Sequence, residues 1–221
     1  MFSKVLLAED IDSTNVAVVQ LLNEMGITHV DFSKYCDEAF LKIRKALLDE
    51  QPFDLLLTDL HIKADFRESV LISGEELIEK VKELQPDIKV VVYSQEEKSF
   101  TIKSLFQYFD IDAYVVKGRN SIPELKEAFK KTVAGELYVS PDHAYALQDK
   151  TVSEIDSYDL QIIKHLALGI TQDEIEVTFK EQGIIPNSKS AIEKRINKLR
   201  TYFRANNNVH LIAIAKDMGV I

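Results

Sequence analysis

Short apolar runs that end in polar residues constrain the fold of this chain more than any other feature. The run FDLLLTD, residues 53–59, closes on Asp59. A run that short and that apolar is typical of a strand buried on both faces of a parallel sheet. In open α/β sheets the functional groups lie just beyond the carboxyl ends of such strands. Asp59 is therefore predicted at a position where its carboxylate can react.

Three more strand-like runs end in a similar way. KVLLA (4–8) leads into Glu9 and Asp10, IKVVVY (88–93) ends at Ser94, and AYVV (113–116) ends at Lys117. The carboxyl ends of parallel strands meet at the same edge of a sheet. We therefore expect three carboxylates, one hydroxyl and one lysine to share one rim.

Helical segments alternate with these runs. The polar segment DSTN, residues 12–15, supplies N-cap residues for an amphipathic helix that ends near Gly26. A weaker strand is predicted at residues 29–32, and further helices are predicted at residues 37–49, 74–85, 97–108 and 123–133. Five βα units in about 130 residues predict a doubly wound parallel sheet covered on both faces.

The rest of the chain has a different pattern. Residues 134–153 have weak periodicity and are predicted to form a linker with at most one short helix. After them the pattern is helical only, and helices are predicted at residues 157–168, 171–181, 188–204 and 208–217. Short helices separated by glycine turns are typical of a helix-turn-helix bundle. The predicted domains are residues 1–133 and 154–221, joined by the linker.

The charge distribution supports two domains. Residues 1–150 contain 18 Lys and Arg against 27 Asp and Glu, whereas residues 151–221 contain nine of each. Within the neutral part, residues 188–204 carry six basic groups and Glu193 as the only acid. This asymmetry predicts one basic helix in the second domain.

Composition narrows the class of protein. With 46% hydrophobic and 29% charged residues, the chain has the make-up of a globular protein with real cores. No apolar run approaches membrane-spanning length, so no membrane partner is expected. The start of the chain leads into a strand rather than a signal peptide, and the single Cys36 excludes an internal disulfide. A cytoplasmic location is expected.

The acidic rim predicts phosphoryl chemistry. Two unit charges about 4 Å apart repel by roughly 4 kcal/mol at an effective dielectric near 20, so Glu9, Asp10 and Asp59 would hold protons or bind a divalent cation. Oxygen ligands favour Mg²⁺, with which Asp59 can act as nucleophile toward a phosphoryl group. Ser94 and Lys117 can then contact phosphoryl oxygens. Each of these residues alone is also compatible with an ordinary loop or surface role.

The basic helix predicts an outward polar face. Ile192, Ile196, Leu199 and Phe203 recur at helical spacing and should face the core. The residues that this rotation turns outward are Lys189, Ser190, Glu193, Lys194, Asn197, Lys198 and Thr201. Basic groups suit phosphate contacts, and Asn, Ser and Thr can reach base edges in a DNA major groove. A solvated charged face is the alternative.

Taken together, these motifs closely resemble those of bacterial two-component response regulators of the NarL/LuxR (FixJ) class. The strands ending at Glu9-Asp10, Asp59, Ser94 and Lys117 match a receiver domain, which has a flavodoxin-like fold with a five-stranded sheet. The segment GELYVSP, residues 135–141, matches the linker, and residues 163–175 and 191–203 match a LuxR-type helix-turn-helix.

The resemblance implies roles for the rim residues. Asp59 would accept phosphate from a sensor histidine kinase, and Asp10, Asp59 and the backbone carbonyl of His61 would bind Mg²⁺, with Glu9 acting less directly. Tyr114 matches the aromatic that turns inward when Ser94 moves toward the phosphoryl group. His61 and Glu96 match positions that tune the lifetime of the phosphoryl group.

The resemblance also implies a homodimer that binds double-stranded DNA and regulates transcription, rather than an enzyme. Three departures bear on this. Lys63 stands where receivers usually have Pro, and Gly74 comes seven residues late, so that the loop 61–73, with Asp65, Arg67 and Glu68, is enlarged. The turn 181–187 is also long, and Glu193 stands where a basic residue is common.

Two alternatives remain open. In the first alternative, the helical domain binds protein instead of DNA. In the second, the chain is a phosphatase of the haloacid dehalogenase type. Such phosphatases need a second Asp two residues after the nucleophile, where this chain has His61.

Overall fold

The computed structural model describes residues 2–63, 69–148 and 155–221. The predicted loop residues Asp65, Arg67 and Glu68, and the end of the predicted linker, lie outside these ranges. The chain divides into two compact units. The first contains Met1–Glu97 and Ser104–Tyr145, and the second contains Lys98–Lys103 and Ala146–Ile221. The predicted domain boundaries stay a prediction.

The first unit is built on a parallel sheet with the order β2-β1-β3-β4-β5-β6. The strands are β1 (Lys4–Ala8), β2 (His29–Ser33), β3 (Leu55–Thr58), β4 (Lys89–Ser94), β5 (Ala113–Val116) and β6 (Tyr138–Val139). The helices are α1 (Asp12–Glu24), α2 (Cys36–Leu48), α3 (Gly74–Leu84), α5 (Ser121–Val133) and the later part of α4 (Ser99–Tyr108), whose first five residues group with the second unit. The predicted doubly wound α/β fold is confirmed.

Both faces of the sheet are buried, as the apolar runs predicted. Leu7, Leu57 and Val115 lie on the face that packs against α1 and α5. Leu6 and Leu56, which alternate with them, point to the opposite face and are also completely buried. A strand that is covered on both sides cannot show polar alternation, which is why these strands read as continuous apolar runs.

The sheet has six strands in the described residues, so the predicted number of five is wrong. β6 lies within the segment that was predicted as linker, and it pairs parallel to β5. Ser140 fixes this pairing: its N–H donates to the carbonyl of Tyr114 at 3.0 Å, and its hydroxyl accepts from the N–H of Val116 at 2.9 Å. The same hydroxyl contacts the Glu124 carboxylate. A two-residue strand is too short to produce a periodic signal.

The second unit is helical. Its helices are α6 (Ser157–Ala167), α7 (Gln172–Glu181), α8 (Lys189–Tyr202) and α9 (Asn208–Asp217), and a 3₁₀ helix (Pro141–Gln148) precedes them. Asp156 and Thr171 form capping boxes at the starts of α6 and α7. Each capping side chain accepts a hydrogen bond from a backbone N–H that the first helical turn leaves unpaired.

Helix α8 buries the face that its spacing predicted. Ile192, Ile196, Leu199 and Phe203 are all buried in the core of the second unit, together with Phe179. The predicted helices at residues 157–168, 171–181, 188–204 and 208–217 therefore exist with boundaries that differ by two residues at most. Among the described helices, none is long and apolar enough to span a bilayer.

Candidate functional site

Strand register brings the acidic residues together. Ala8 of β1 pairs with Thr58 of β3, and the N–H of Asp59 continues the ladder by donating to the Ala8 carbonyl at 3.0 Å. The residues that follow these two strands, Glu9 and Asp59, therefore start from adjacent backbone positions. Both side chains are buried, at 1% and 6% exposure.

Lys117, which follows β5, contacts both of these carboxylates. Its backbone N–H donates to the Ser94 carbonyl at 2.8 Å, which extends the pairing of β4 with β5. Its Nζ lies 2.6 Å from Glu9 Oε2 and 2.6 Å from Asp59 Oδ2. The lysine side chain is 9% exposed. One buried cation thus bridges two buried carboxylates.

The other oxygen of Asp59 is held by the backbone. Oδ1 accepts the N–H of Leu60 at 2.6 Å and that of His61 at 3.2 Å. With Lys117 on Oδ2, both oxygens are engaged, so the carboxylate has a fixed orientation. Such preorganisation favours reaction with a partner that arrives in line, because little reorganisation remains to be done.

The pKa values follow from these contacts. Burial raises the pKa of Asp59, but the hydrogen bond and charge of Lys117, with the Ser94 hydroxyl and the His61 N–H, outweigh burial and hold this pKa below its ordinary value. Burial has the larger effect on Glu9, whose pKa is raised despite Lys117. Burial lowers the pKa of Lys117, but its two carboxylate partners outweigh burial and raise it. Asp59 is therefore an anion at neutral pH, as a nucleophile requires.

Asp10 completes a group of oxygen donors. Each of Glu9, Asp10 and Asp59 offers a carboxylate oxygen, and these atoms lie within 4.8 Å of one another. Asp10 is partly exposed, whereas the other two are buried. Hard oxygen donors at this spacing, with one open side, suit Mg²⁺, which keeps several waters when it binds to proteins.

Ser94 and Tyr114 lie beside the acidic group. Ser94 Oγ is fully buried and forms no short hydrogen bond to a described residue, but it lies close enough to Asp59 to help lower the pKa of that carboxyl. A buried hydroxyl with weak partners gains free energy when a ligand or water satisfies it. Tyr114 is completely buried, and its hydroxyl donates to the backbone carbonyl of Glu96 at 2.8 Å. The aromatic ring therefore points inward.

Gly74 is a site residue whose role the sequence did not reveal. A Cβ built on Gly74 would lie 2.0 Å from the Asp59 carbonyl oxygen and 2.8 Å from Leu60 Cα. The Gly74 N–H donates to the Leu60 carbonyl at 2.9 Å. Because Gly74 has no side chain, α3 can start directly against the backbone that follows β3. The His61 side chain is exposed.

The polar residues of α8 form a second candidate site. All seven residues that were predicted to face outward are exposed: Lys189, Ser190, Glu193, Lys194, Asn197, Lys198 and Thr201. Lys189 pairs with Asp173 at 2.5 Å, whereas Lys194 and Lys198 make no ion pair with any described residue. Two unpaired lysines one turn apart can contact phosphates.

Arg195 has a different role from its basic neighbours. Its guanidinium contacts Asp159, which is 1% exposed, with NH2 at 2.7 Å from Oδ2, and it also contacts Asp156 at 2.5 Å. A bidentate guanidinium–carboxylate contact fixes the geometry of the two partners. Arg195 therefore joins α8 to the start of α6. This contact could not be predicted from a sequence pattern, because the partners are 36 residues apart.

Solved structures resemble the whole chain. The two-component response regulator RcsB in complex with DNA is 16% identical, covers 97% of this chain and 98% of its own, and has a TM-score of 0.61. RcsB from Salmonella enterica serovar Typhimurium bound to promoter rprA with the phosphomimetic BeF3- is 17% identical, with coverages of 96% and 97% and a TM-score of 0.60.

A third match is the structure of a single isolated domain. The REC domain of RcsB from the same organism, in the presence of BeF3-, covers 66% of this chain and 98% of its own, at 18% identity and a TM-score of 0.52. The chain shares the fold of these solved structures. No protein-family model and no curated protein matches the sequence. The acidic group described above lies at the carboxyl edge of the parallel sheet in the first unit, and α8 is the third helix of the helical unit.

Proposed function

We propose that this protein is a phosphorylation-controlled DNA-binding regulator of transcription. A sensor histidine kinase would phosphorylate Asp59, and the exposed face of α8 would bind duplex DNA. One observation carries the proposal: Lys117 Nζ lies 2.6 Å from both buried carboxylates, Glu9 and Asp59, at the edge where the strands end. The fold, shared with response regulators that were solved with DNA, supports it.

The side chains support phosphoryl transfer at Asp59. A carboxylate oxygen would form a bond to phosphorus while the bond between phosphorus and the donor histidine nitrogen breaks and that nitrogen keeps the electron pair. The Lys117 ammonium would then neutralise a phosphoryl oxygen. The buried Ser94 hydroxyl, which lies near the Asp59 carboxylate, would donate a hydrogen bond to another phosphoryl oxygen.

Mg²⁺ fits the carboxylate group. Asp10 and Asp59, with the backbone carbonyl of His61, would bind the ion, and Glu9 would act from a greater distance. A bound divalent cation offsets the negative charge that a phosphoryl group brings to an acidic site. Oxygen donors within 4.8 Å of one another support this assignment.

Two copies of the helical unit, one from each chain of a homodimer, would bind DNA together. Phosphorylation would shift the receiver between two states and so favour a homodimer that places two α8 helices on half-sites about one DNA turn apart. To shift a two-state equilibrium almost completely from one state to the other requires roughly 5.5 kcal/mol of differential stabilisation. One phosphoryl group with two contacts supplies part of that energy, so we expect basal DNA binding without phosphate. A cytoplasmic location agrees with this role.

The test compares the protein with Asp59→Asn after incubation with acetyl phosphate and Mg²⁺. Intact mass should show one added phosphoryl group on the protein and none on the variant. Retention of a DNA duplex should rise with phosphorylation only for the protein. Equal labelling of the variant would contradict the assignment of Asp59.

Two outcomes would favour other functions. Repeated turnover of a small phosphoester, with more product than protein, would indicate a phosphatase, although His61 stands where such an enzyme has a second Asp as its general acid. Phosphorylation at Asp59 with no duplex retention at low salt would indicate a helical unit that binds protein, because phosphate contacts are strongest at low salt.

A further inference from the structure

The long turn between α7 and α8 builds a groove whose apolar wall has no role in the proposed function. The groove has a volume of about 480 Å³ and lies between the start of α6, this turn and one side of α8. Volumes of 300–1,000 Å³ are typical of small-molecule sites. Its apolar wall consists of Tyr158, Ile185, Pro186 and Ala191.

The turn that forms the wall is anchored at both ends. Ile184 packs against the core, and its N–H donates to the Phe179 carbonyl at 2.9 Å. The Tyr158 hydroxyl donates to the Pro186 carbonyl at 2.5 Å, and Ser188 then caps α8. Between these anchors the Ile185 side chain is 83% exposed. The groove is therefore preformed, and an apolar side chain is held in solvent at its rim.

The polar side of the groove is basic. Lys194, Arg195 and Lys198 line it against one acid, Asp156, which Arg195 neutralises. The two lysines are exposed and have no ion-pair partner among the described residues. An apolar wall beside two free ammonium groups is complementary to a molecule with an apolar body and an anionic head.

We infer that this groove binds a small amphipathic organic anion, an aryl or alkyl carboxylate or sulfonate. The apolar body would lie on Ile185 and Pro186, and the anionic head would lie between Lys194 and Lys198. Because both lysines belong to the proposed DNA-binding face, bound anion and bound duplex would exclude each other. Only this last step rests on the proposed function.

The test uses 8-anilinonaphthalene-1-sulfonate, an aromatic sulfonate, with the full chain. Fluorescence titration should show one site per chain. Ile185→Ser should weaken its binding about tenfold, because an exposed apolar contact is removed without touching the core. The double variant Lys194→Gln/Lys198→Gln should weaken it to a similar extent through lost charge pairing.

Matched controls separate the groove from other exposed surfaces. Val209→Ser removes an apolar side chain that is 76% exposed on α9, and Lys164→Gln removes an exposed lysine on α6. Neither residue lines the groove, so both variants should bind the probe within twofold of the original protein. Equal losses in Ile185→Ser and Val209→Ser would overturn the inference.

A competition experiment tests the link with DNA. Added duplex at low salt should displace the probe from the protein, and the probe should release the duplex. Simultaneous binding of both would overturn mutual exclusion. Probe binding that depends on Ile185 without any duplex retention would support the groove and count against the proposed DNA role. Duplex retention with no groove-dependent probe binding would overturn the groove alone.

Discussion

Lys117 determines the charge balance of the acidic edge at the scale of single residues. It is the cation within ion-pair distance of Glu9 and Asp59, and all three side chains are less than 10% exposed. A buried charge that loses its partner destabilises a protein by about 3–5 kcal/mol. The site therefore depends more on the lysine than on either acid alone.

Substitutions at Lys117 and Asp59 should consequently differ in stability. Lys117→Met leaves two buried carboxylates without a cation, and we expect it to lower the free energy of unfolding by about 3 kcal/mol. Asp59→Asn leaves the Glu9–Lys117 pair intact and removes the repulsion between the two acids, so we expect a change of about 1 kcal/mol or less. Urea unfolding measures both. Equal destabilisation by the two variants would contradict this charge balance.

Cys36 provides a second test at the residue scale. The thiol is buried, at 3% exposure, and burial with the nearby carboxylates raises its pKa to about 12. The thiolate is the reactive form, so at pH 8 the folded protein should react very slowly with a thiol reagent such as dithionitrobenzoate. The same protein in denaturant should react at once. Rapid reaction of the folded protein would show that Cys36 is accessible.

The connection between β3 and α3 governs the site at the scale of elements. α3 begins at Gly74, whose missing side chain allows the helix to start against the backbone of Asp59 and Leu60. Backbone atoms cannot move aside as a flexible side chain can. The positions of Asp59, at the end of β3, and of the start of α3 are therefore coupled.

Gly74→Ala tests this coupling, with Gly118→Ala as its control. The added methyl group would overlap the Asp59 carbonyl oxygen, so we expect a loss of about 2–3 kcal/mol in stability and slower phosphorylation by acetyl phosphate. Gly118 also lies next to the site but has nothing within 4 Å of a built Cβ. Its alanine variant should retain stability and phosphorylation rate. Wild-type behaviour of Gly74→Ala would show that the helix shifts freely.

The link between α6 and α8 can be tested in the same way. Arg195→Gln leaves Asp159 buried without its cation, and we expect a loss of about 3 kcal/mol in the stability of the second unit. Lys198→Gln, on the same helix, should change stability by about 0.5 kcal/mol or less, because its side chain is exposed and has no ion pair among the described residues. Thermal unfolding followed by circular dichroism compares the two. Similar stability losses would contradict a specific role for Arg195.

Elements with a repeated pattern were predictable from the sequence, and single contacts were not. The buried strands and α8 follow from apolar spacing over several residues, since periodicity accumulates with length. β6 has two residues, so only tertiary pairing through Ser140 defines it. The convergence of Asp59 with Lys117 followed from strand order, whereas the contact of Arg195 with Asp159 and the approach of Gly74 depend on packing between distant segments.

The distribution of charge over the whole molecule bears on DNA binding. Residues 1–150 carry nine more acidic than basic groups, while the remaining residues are balanced. Attraction to duplex DNA must therefore come from the arrangement of charge in the helical unit rather than from the net charge. The unpaired Lys194 and Lys198 are the main candidates.

Salt dependence tests that assignment. The plot of log K against log salt has a negative slope for DNA binding. Each phosphate contact that is lost should reduce the magnitude of this slope by about 1. Lys194→Gln and Lys198→Gln should each show this decrease for a generic duplex, and Lys164→Gln should show none. If the slope is unchanged in Lys194→Gln and Lys198→Gln, these two lysines of α8 do not contact the DNA phosphates.

Phosphorylation should change the slope as well as the affinity. If the phosphorylated chain binds DNA as a homodimer, two copies of α8 contact phosphates, and the salt slope per complex should be about twice that of a single unphosphorylated chain. Filter binding at several salt concentrations, with stoichiometry from sedimentation, measures both quantities. Asp59→Asn treated with acetyl phosphate serves as the control and should keep the shallower slope of the single unphosphorylated chain. An affinity that rises with an unchanged slope and one chain per duplex would mean that phosphorylation releases DNA-binding residues within one chain, rather than pairing two chains.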